Sequence, residues 1–395
     1  MGQQQAKKRV CLVRHWYYPH DNHLKRDAEA LLASGWEVDV VCLRKKGETA
    51  REAVKGVQIY RLPVEHHRDS AWRYLWEYSA FLLLAFANLA RLSLRRRYRV
   101  IEVSNLPDIL VFSTLVPKLL GAKVVLYMRE QMPETFASAF GAKERHPFVR
   151  ILSLLQRLSM AYADHVIVPG KLGKEHFQAG GVPGEKISVI ENAPDEDIFR
   201  PLAPSLPQEN GHFRLVTHGT LLERYGVQTL LRAVPILAAE IPNLEVWIAG
   251  DGEYRPALEG LCRELQVEDR VRFTGWLPFQ EIPKVISHAH VGVVALNYAA
   301  EWLPNKWLPN KILEYLAVGK PVIVSGLETY KAYLPEGAAL YFRPGDERDL
   351  ARCVLELYRN PQERAALADR GQAIYEQIRW SVTKEKYLTI FEGLR

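Results

Sequence analysis

Glycines set around charged side chains are the first residues here whose types and spacing suit chemistry. Gly219 directly follows an apolar run, Gly226 opens the next helical pattern, and Arg224 lies between them. A second pair, Gly250 and Gly252, recurs in Ala249-Gly250-Asp251-Gly252. Loops leading from a strand end into a helix start offer an anion free backbone N–H groups and the positive end of a helix dipole. A guanidinium adds a fork matched to phosphate. Turn-making alone explains isolated glycine pairs equally well. There is no Walker loop, and no GxGxxG follows the first strand. In Pro309-Asn310-Lys311-Ile312-Leu313-Glu314-Tyr315 a proline and a polar residue start a helix, and Lys311 and Glu314 share a face one turn apart. A cation in a first turn is unfavourable unless an anion is near. A bound phosphate is one reading of it; an exposed i,i+3 ion pair of little energy is the other.

The elements that must position these residues alternate throughout. Arg9–Arg14, Glu37–Cys42, Val57–Leu62, Val100–Val103, Ala122–Tyr127, His165–Val168 and Ile187–Ile190 read as strands, mostly separated by helical patterns such as Leu24–Ala33. The pattern restarts after Pro201, Pro204, Pro207 and Gln208–Gly211, which read as a linker. Phe213–Thr217, Leu244–Ala249, Val271–Phe273, Val291–Ala295 and Pro321–Val324 are the later strands, with helices over Val227–Ala239 and Arg255–Glu264. Buried apolar strands alternating with helices indicate βαβ units and parallel sheets. The expectation is α/β, two Rossmann-like doubly wound domains over 1–200 and 201–377, with a helix over 378–395 crossing back after a break at Trp380-Ser381. Ligands of such sheets sit outside the carboxyl ends of the strands, so a cleft between two facing sheets is the expected site.

Length and composition agree. The chain has 395 residues, 48% apolar and 25% charged, which excludes disorder, collagen and simple coiled coil and favours two domains. Four cysteines, Cys11, Cys42, Cys262 and Cys353, stand far apart, with no zinc-ligand spacing. With a polar start at Met1–Lys8, the expectation is a reduced, cytoplasmic protein. The net charge of +6 is uneven: residues 1–197 hold 29 Lys+Arg against 22 Asp+Glu, a net of +7, and the rest is −1. A basic first half suggests an anionic partner such as phospholipid headgroups, or merely a solvated basic face. No nucleic-acid module appears. The apolar stretch Tyr78–Ala90 is too short to span a membrane. With Arg91, Arg95, Arg96, Arg97 and Arg99 after it, it fits a core helix or an interfacial one.

Five ordered stretches carry a resemblance. Lys311–Val322, His218–Gly226, Ile248–Tyr254, Val189–Asp195 and Ala163–Pro169 together resemble glycosyltransferase family 4, over essentially the whole chain. The resemblance implies the GT-B fold and a retaining, metal-independent transfer from a nucleotide-diphospho-sugar. It implies that Glu314 holds the ribose hydroxyls. Gly219, Thr220, Arg224, Gly250, Asp251, Gly252 and Lys311 would complete the nucleotide-sugar site, with cations stabilising the leaving diphosphate.

The chain also departs from the family pattern. The ExxxxxxxE pair ending at Glu314 has Lys306 at its other position. In Tyr127–Glu134, Arg129 takes the place of the usual histidine and Glu130 that of the acid. The expected catalytic set is therefore Glu130, Arg129, Arg224 and Lys311, with Glu134 a further acid facing the cleft. The first loop replaces paired glycines with His15, Trp16, Tyr17 and Asp21, an aromatic surface suited to an acceptor. A metal set from His15, His20 and His23 has no known ligand spacing, and His66, His67, His288 and His290 read as structural or solvent-facing. The reading is a retaining glycosyltransferase acting on a glycan or lipid-linked acceptor of the cell envelope, with possible peripheral membrane contact. The alternatives are a non-catalytic glycan- or nucleotide-binding relative and a GT-B nucleotide-sugar epimerase.

Overall fold

The computed structural model describes residues 8–66, 71–140, 146–202, 211–296 and 306–394. The chain forms two compact units, Met1–Asn192 with Thr383–Arg395, and Ala193–Val382.

In the first unit, β1 (Arg9–Arg14), α1 (Asn22–Ala33), β2 (Glu37–Leu43), β3 (Arg51–Val54), β4 (Val57–Leu62), α2 (Ala71–Arg96), β5 (Val100–Ser104), α3 (Leu115–Leu119), β6 (Lys123–Tyr127), α4 (Met132–Phe140), α5 (Pro147–Tyr162), β7 (His165–Val168), α6 (Lys171–Ala179) and β8 (Ile187–Val189) follow in order. The sheet order is β3-β4-β2-β1-β5-β6-β7-β8, parallel except for β3. Val10, Leu12, Val40, Ile101 and Val125 are fully buried in it, because crossover helices cover both faces of a parallel sheet. Asp21 starts α1 by accepting from the Leu24 N–H at 3.0 Å, the usual role of an N-cap carboxylate.

The second unit contains β9 (Phe213–His218), α7 (Val227–Ala238), β10 (Leu244–Ala249), α8 (Arg255–Glu264), β11 (Val271–Gly275), α9 (Ile282–Ser287), β12 (Val291–Val294), α10 (Asn310–Ala317), β13 (Val322–Ser325), α11 (Glu328–Tyr333), β14 (Leu340–Phe342), α12 (Glu347–Arg359) and α13 (Pro361–Ile378), and α14 (Trp380–Gly393) closes the chain. Its sheet, β11-β10-β9-β12-β13-β14, is wholly parallel. In both sheets the strand order reverses beside the unit's first strand, at β1/β5 and β9/β12. That is where doubly wound sheets place a ligand.

Three details differ from the sequence reading. β3 and β14 were not expected: β3 is exposed and charged and carries no apolar run, and β14, though apolar, has only three residues. The unit boundary falls at 192 rather than 200, because Ala193 and Phe199 are buried in the second unit's core; of the expected linker, 203–210 lie outside the described residues. Trp380-Ser381 starts α14 instead of breaking it, and Arg379, with φ −58 and ψ 158, makes the corner.

From Thr383 onward the tail belongs to the first unit. There Tyr387 donates to Glu102 at 2.8 Å, Lys8 pairs with Glu392 at 2.8 Å, and Arg99 donates to the carbonyls of Glu392 and Leu394 at 3.2 Å. The four cysteines are buried and unpaired with one another. Among the described residues no helix is long and apolar enough to cross a membrane.

Candidate active site

In the second unit the site is built at the carboxyl end of β9. Gly219 has φ +113, which frees the chain to turn sharply out of the strand. Its N–H donates to the Ala249 carbonyl at 2.8 Å, and the Leu221 N–H donates to the Asp251 carbonyl at 2.9 Å. The two glycine loops are thus laced together by backbone bonds. Gly226, in the left-handed region at φ 69, then starts α7.

Helix α10 delivers Lys311 and Glu314 to this loop. A Cβ on Gly219 would lie 3.4 Å from Lys311 Nζ, so the ammonium rests against bare backbone. Lys311 and Arg224 both lie against the Tyr225 ring, at 5.1 and 5.2 Å from its centroid. Burial pushes the Lys311 amine down to about 8, while Glu314 pulls the other way. Two cations against one ring at a glycine loop form an anion-seeking arrangement.

Glu314 is only 7% exposed and meets His218 Nε2 in a short hydrogen bond. Tyr315 Oη lies 2.9 Å from His218 Nδ1. An ionised carboxylate only accepts, so Nε2 donates to Glu314, and the Tyr315 hydroxyl, which donates to the Val216 carbonyl at 3.3 Å, fixes the ring from the Nδ1 side. Tyr315 fits here because β12 has Gly292, where a Cβ would come within 2.6 Å of the ring. His218 and Tyr315 were not singled out from the sequence. His218 stands among apolar strand residues, and only the placement of α10 against β9 reveals the contact.

Thr220 is exposed beside the loop. Asp251 serves its own turn: it accepts the Gly252 N–H at 2.8 Å and pairs with Arg255 at 3.3 Å.

In the first unit the expected site residues divide. Arg129, read as the substitute for a substrate-contacting histidine, is 5% exposed and turned inward, ion-paired to the fully buried Asp27, with its guanidinium 3.4 Å from the Tyr127 ring centroid. Its Nε and Nη1 have no hydrogen-bond partner among the described residues. Glu130 is exposed. The loop that carries both is fixed by Asn105, at the end of β5, whose Oδ1 accepts from the N–H groups of Arg129 at 2.6 Å and Glu130 at 3.1 Å. Glu134 is half-buried in the first turn of α4. Burial, with the Asp27 charge beside it, pushes the Glu102 carboxyl up from its ordinary value.

The first loop is less of a surface than its composition suggests. His15 and Asp21 are each 6% exposed; Asp21 pairs with Arg14, and His15 with Glu77. Trp16 and Tyr17 are the partly exposed pair. His15 therefore does not join His20 and His23. Burial, reinforced by Arg26, Arg129 and Arg14, holds His23 well below the usual imidazole range.

Two family descriptions match in series: a glycosyl transferase 4-like domain over residues 21–193 and glycosyl transferases group 1 over residues 212–360. The chain belongs to glycosyltransferase family 4. It is 31% identical to the lipopolysaccharide core biosynthesis glycosyltransferase LpsE of Rhizobium meliloti, over 45% of this chain and 48% of that one, so the match spans about half that relative's length. Among solved structures it resembles sucrose-phosphate synthase from Thermosynechococcus elongatus, with TM-score 0.78 and 19% identity over 98% and 99% of the two chains. It also resembles Anabaena HepE solved with UDP, with TM-score 0.71 and 17% identity over 98% and 100%. These likenesses identify the GT-B fold. This family 4 chain thus carries its glycine loops, Lys311 and Glu314 at the carboxyl end of the second sheet, beside His218, which opens the first loop's stretch.

Proposed function

We propose that this chain is a retaining glycosyltransferase that moves a sugar from a nucleotide-diphospho-sugar to a glycan or lipid-linked acceptor of the cell envelope. The observation that carries this reading is the convergence of Lys311, Arg224 and Glu314 on the Gly219 loop. In this reading Glu314, steadied by His218, accepts from the ribose hydroxyls. Lys311, Arg224 and the loop N–H groups neutralise the diphosphate as its charge grows in the transition state. The departing phosphate takes the acceptor's proton, so neither a strong protein base nor a metal ion is needed for the donor chemistry. HepE's complex with UDP supports a nucleoside diphosphate ligand, and LpsE's part in lipopolysaccharide core synthesis supports a lipid-linked glycan acceptor.

The test is UDP titration by calorimetry with the wild type and Glu314→Gln. A charge-assisted hydrogen bond is worth about 1.5–3 kcal/mol, so the variant should bind roughly 10–100-fold more weakly. Equal affinity would remove Glu314 from the site, and no binding of any nucleoside diphosphate by the wild type would sink the whole reading.

The proposal includes work at an anionic membrane surface on the cytoplasmic side. Helix α2 buries Phe81, Ala85, Leu89 and Leu92 but exposes Trp76, Leu83 and Leu94, at 66%, 68% and 71%. It is a core helix on one face and an unpartnered apolar stripe on the other. Leu119 of α3 and Ile151, Leu154 and Leu158 of α5 are exposed in the same unit. Apolar helical faces with a basic end suit a lipid interface. Arg96 is committed to Asp39, whereas Arg91, Arg95 and Arg97 are exposed. Changing these three to Ser should weaken flotation with phosphatidylserine vesicles by at least about tenfold, at about 1 kcal/mol per basic residue. Equal flotation of both proteins, or none by the wild type, would count against lipid, and concentration-dependent dimers without flotation would assign the stripe to a second copy.

A further inference from the structure

We propose that His15, His66 and Glu77 form a binding site for a divalent transition-metal ion, with zinc the best match to their donors. The three come from separate pieces of the first unit: His15 leaves β1, His66 follows β4, and Glu77 lies in α2. Their ligand atoms all lie within 4.8 Å of one another. Both imidazoles converge on one carboxylate oxygen, Glu77 Oε1, with His15 Nε2 at 2.9 Å and His66 Nδ1 at 2.7 Å. The side chains are 3%, 13% and 1% exposed, respectively.

Two imidazoles and a carboxylate are the donor set that zinc takes when it keeps a fourth position open. Bonds of about 2.0–2.2 Å place tetrahedral ligands roughly 3.3–3.6 Å apart, so around an ion the two imidazole–carboxylate contacts open by about half an ångström, and the two imidazole nitrogens, within 4.8 Å of each other, draw together. Its surroundings restrict it to that role. The His66 main-chain N–H donates to Tyr17 Oη at 2.9 Å, which holds the backbone that carries this imidazole. His15 is held edge-on to Tyr78 and Phe81, at 4.9 and 5.0 Å between centroids, and Trp16 stands 5.1 Å from His66. Ligands fixed by outer contacts bind metal more tightly than free ones. An ion here ties three chain segments of the first unit together, and the assignment stands apart from the sugar-transfer reading.

The full chain, stripped with chelator and dialysed, is titrated with zinc chloride by calorimetry and with cobalt chloride by visible absorption. The expected result is one zinc per chain and a cobalt spectrum of tetrahedral intensity. Loss of an outer-sphere partner already costs about 10–100-fold in affinity, so Glu77→Gln and His66→Gln should each weaken binding more than about tenfold. His212→Gln, in the other unit, should bind as the wild type does. If Glu77→Gln fails to fold, the less buried His66→Gln and the wild-type cobalt spectrum still decide. No saturable one-to-one binding, an octahedral cobalt spectrum, or unchanged affinity in folded His66→Gln overturns the proposal and leaves the two imidazoles as plain ion-pair neighbours of Glu77.

Discussion

Arg129→Met should lower the stability of this protein by about 3–5 kcal/mol, the usual cost of leaving a buried charge without its partner. The structure gives the reason. Asp27 is fully buried against Arg129, and Glu102, also fully buried, lies in the same field. Methionine keeps apolar bulk over the Tyr127 ring but removes the cation on Asp27 Oδ2, so Asp27 is left with Arg26, 3.3 Å from Oδ1, and Glu102 with its bond from Tyr387, in a medium of low polarisability. Urea unfolding at pH 7.5 measures the loss. The variant should also regain stability as the pH falls. An acid whose carboxyl is raised in the folded state binds more protons there than when unfolded, so stability rises as pH drops through that raised value towards the unfolded one. Without Arg129, which draws the Glu102 carboxyl down, that carboxyl is raised further and the recovery steepens. Asp27→Leu combined with Arg129→Met should restore part of the loss, because replacing both members of a buried pair is often neutral, while Arg26 then loses Asp27 as well. A single variant within about 1 kcal/mol of the wild type that nonetheless loses sugar transfer would return Arg129 to the reacting groups.

The second large effect concerns Gly250. A Cβ there would lie 2.9 Å from the Gly219 carbonyl carbon, and nearer still to its oxygen. Both neighbours are backbone, so no side chain can swing aside. Gly250→Ala must push the two glycine loops apart and break the Gly219–Ala249 bond that laces them. The expected cost is about 3 kcal/mol or more, at the upper end of overpacking, with UDP binding lost along with the loop geometry. Gly260→Ala is the matched comparison. That glycine lies inside α8, where a Cβ meets only Arg263 Nη2 at 3.8 Å, so alanine should stabilise by about 0.5–1 kcal/mol through helix propensity. Thermal or urea denaturation of both separates a steric account from a general intolerance of substitution. Equal stabilities would mean the loops are looser than their hydrogen bonds imply.

The two effects also show how unevenly the site was legible. The Gly219 and Gly250 loops were found from glycine punctuation after apolar runs, a local signal, and their mutual approach is a consequence of neighbouring parallel strands. Arg129 was misread because its place in the motif faces a substrate in the family pattern. Its partner, Asp27, lies 102 positions away, and no local pattern connects α1 to the loop after β6. His218 with Glu314 and Asn105 with the Arg129–Glu130 loop were missed for the same reason.

What the sequence determined by itself was whatever rests on short-range physics. Buried valine and leucine runs alternating with helical patterns dictate parallel sheets, and a glycine at a strand end dictates a turn open to phosphate. The uneven charge, too, pointed to the basic first half, where α2 exposes its apolar stripe beside Arg91, Arg95 and Arg97. Only the tertiary structure decided which charged groups are spent on one another. Arg129, His15 and Arg96 all looked available, yet each is held by an acid from a distant element, and Asp21 by Arg14 at the end of the preceding strand, because burial makes an unpaired charge too costly to leave. The same pairing rule, applied to His15, His66 and Glu77, is what gathers three scattered residues into one small, closed set of metal donors.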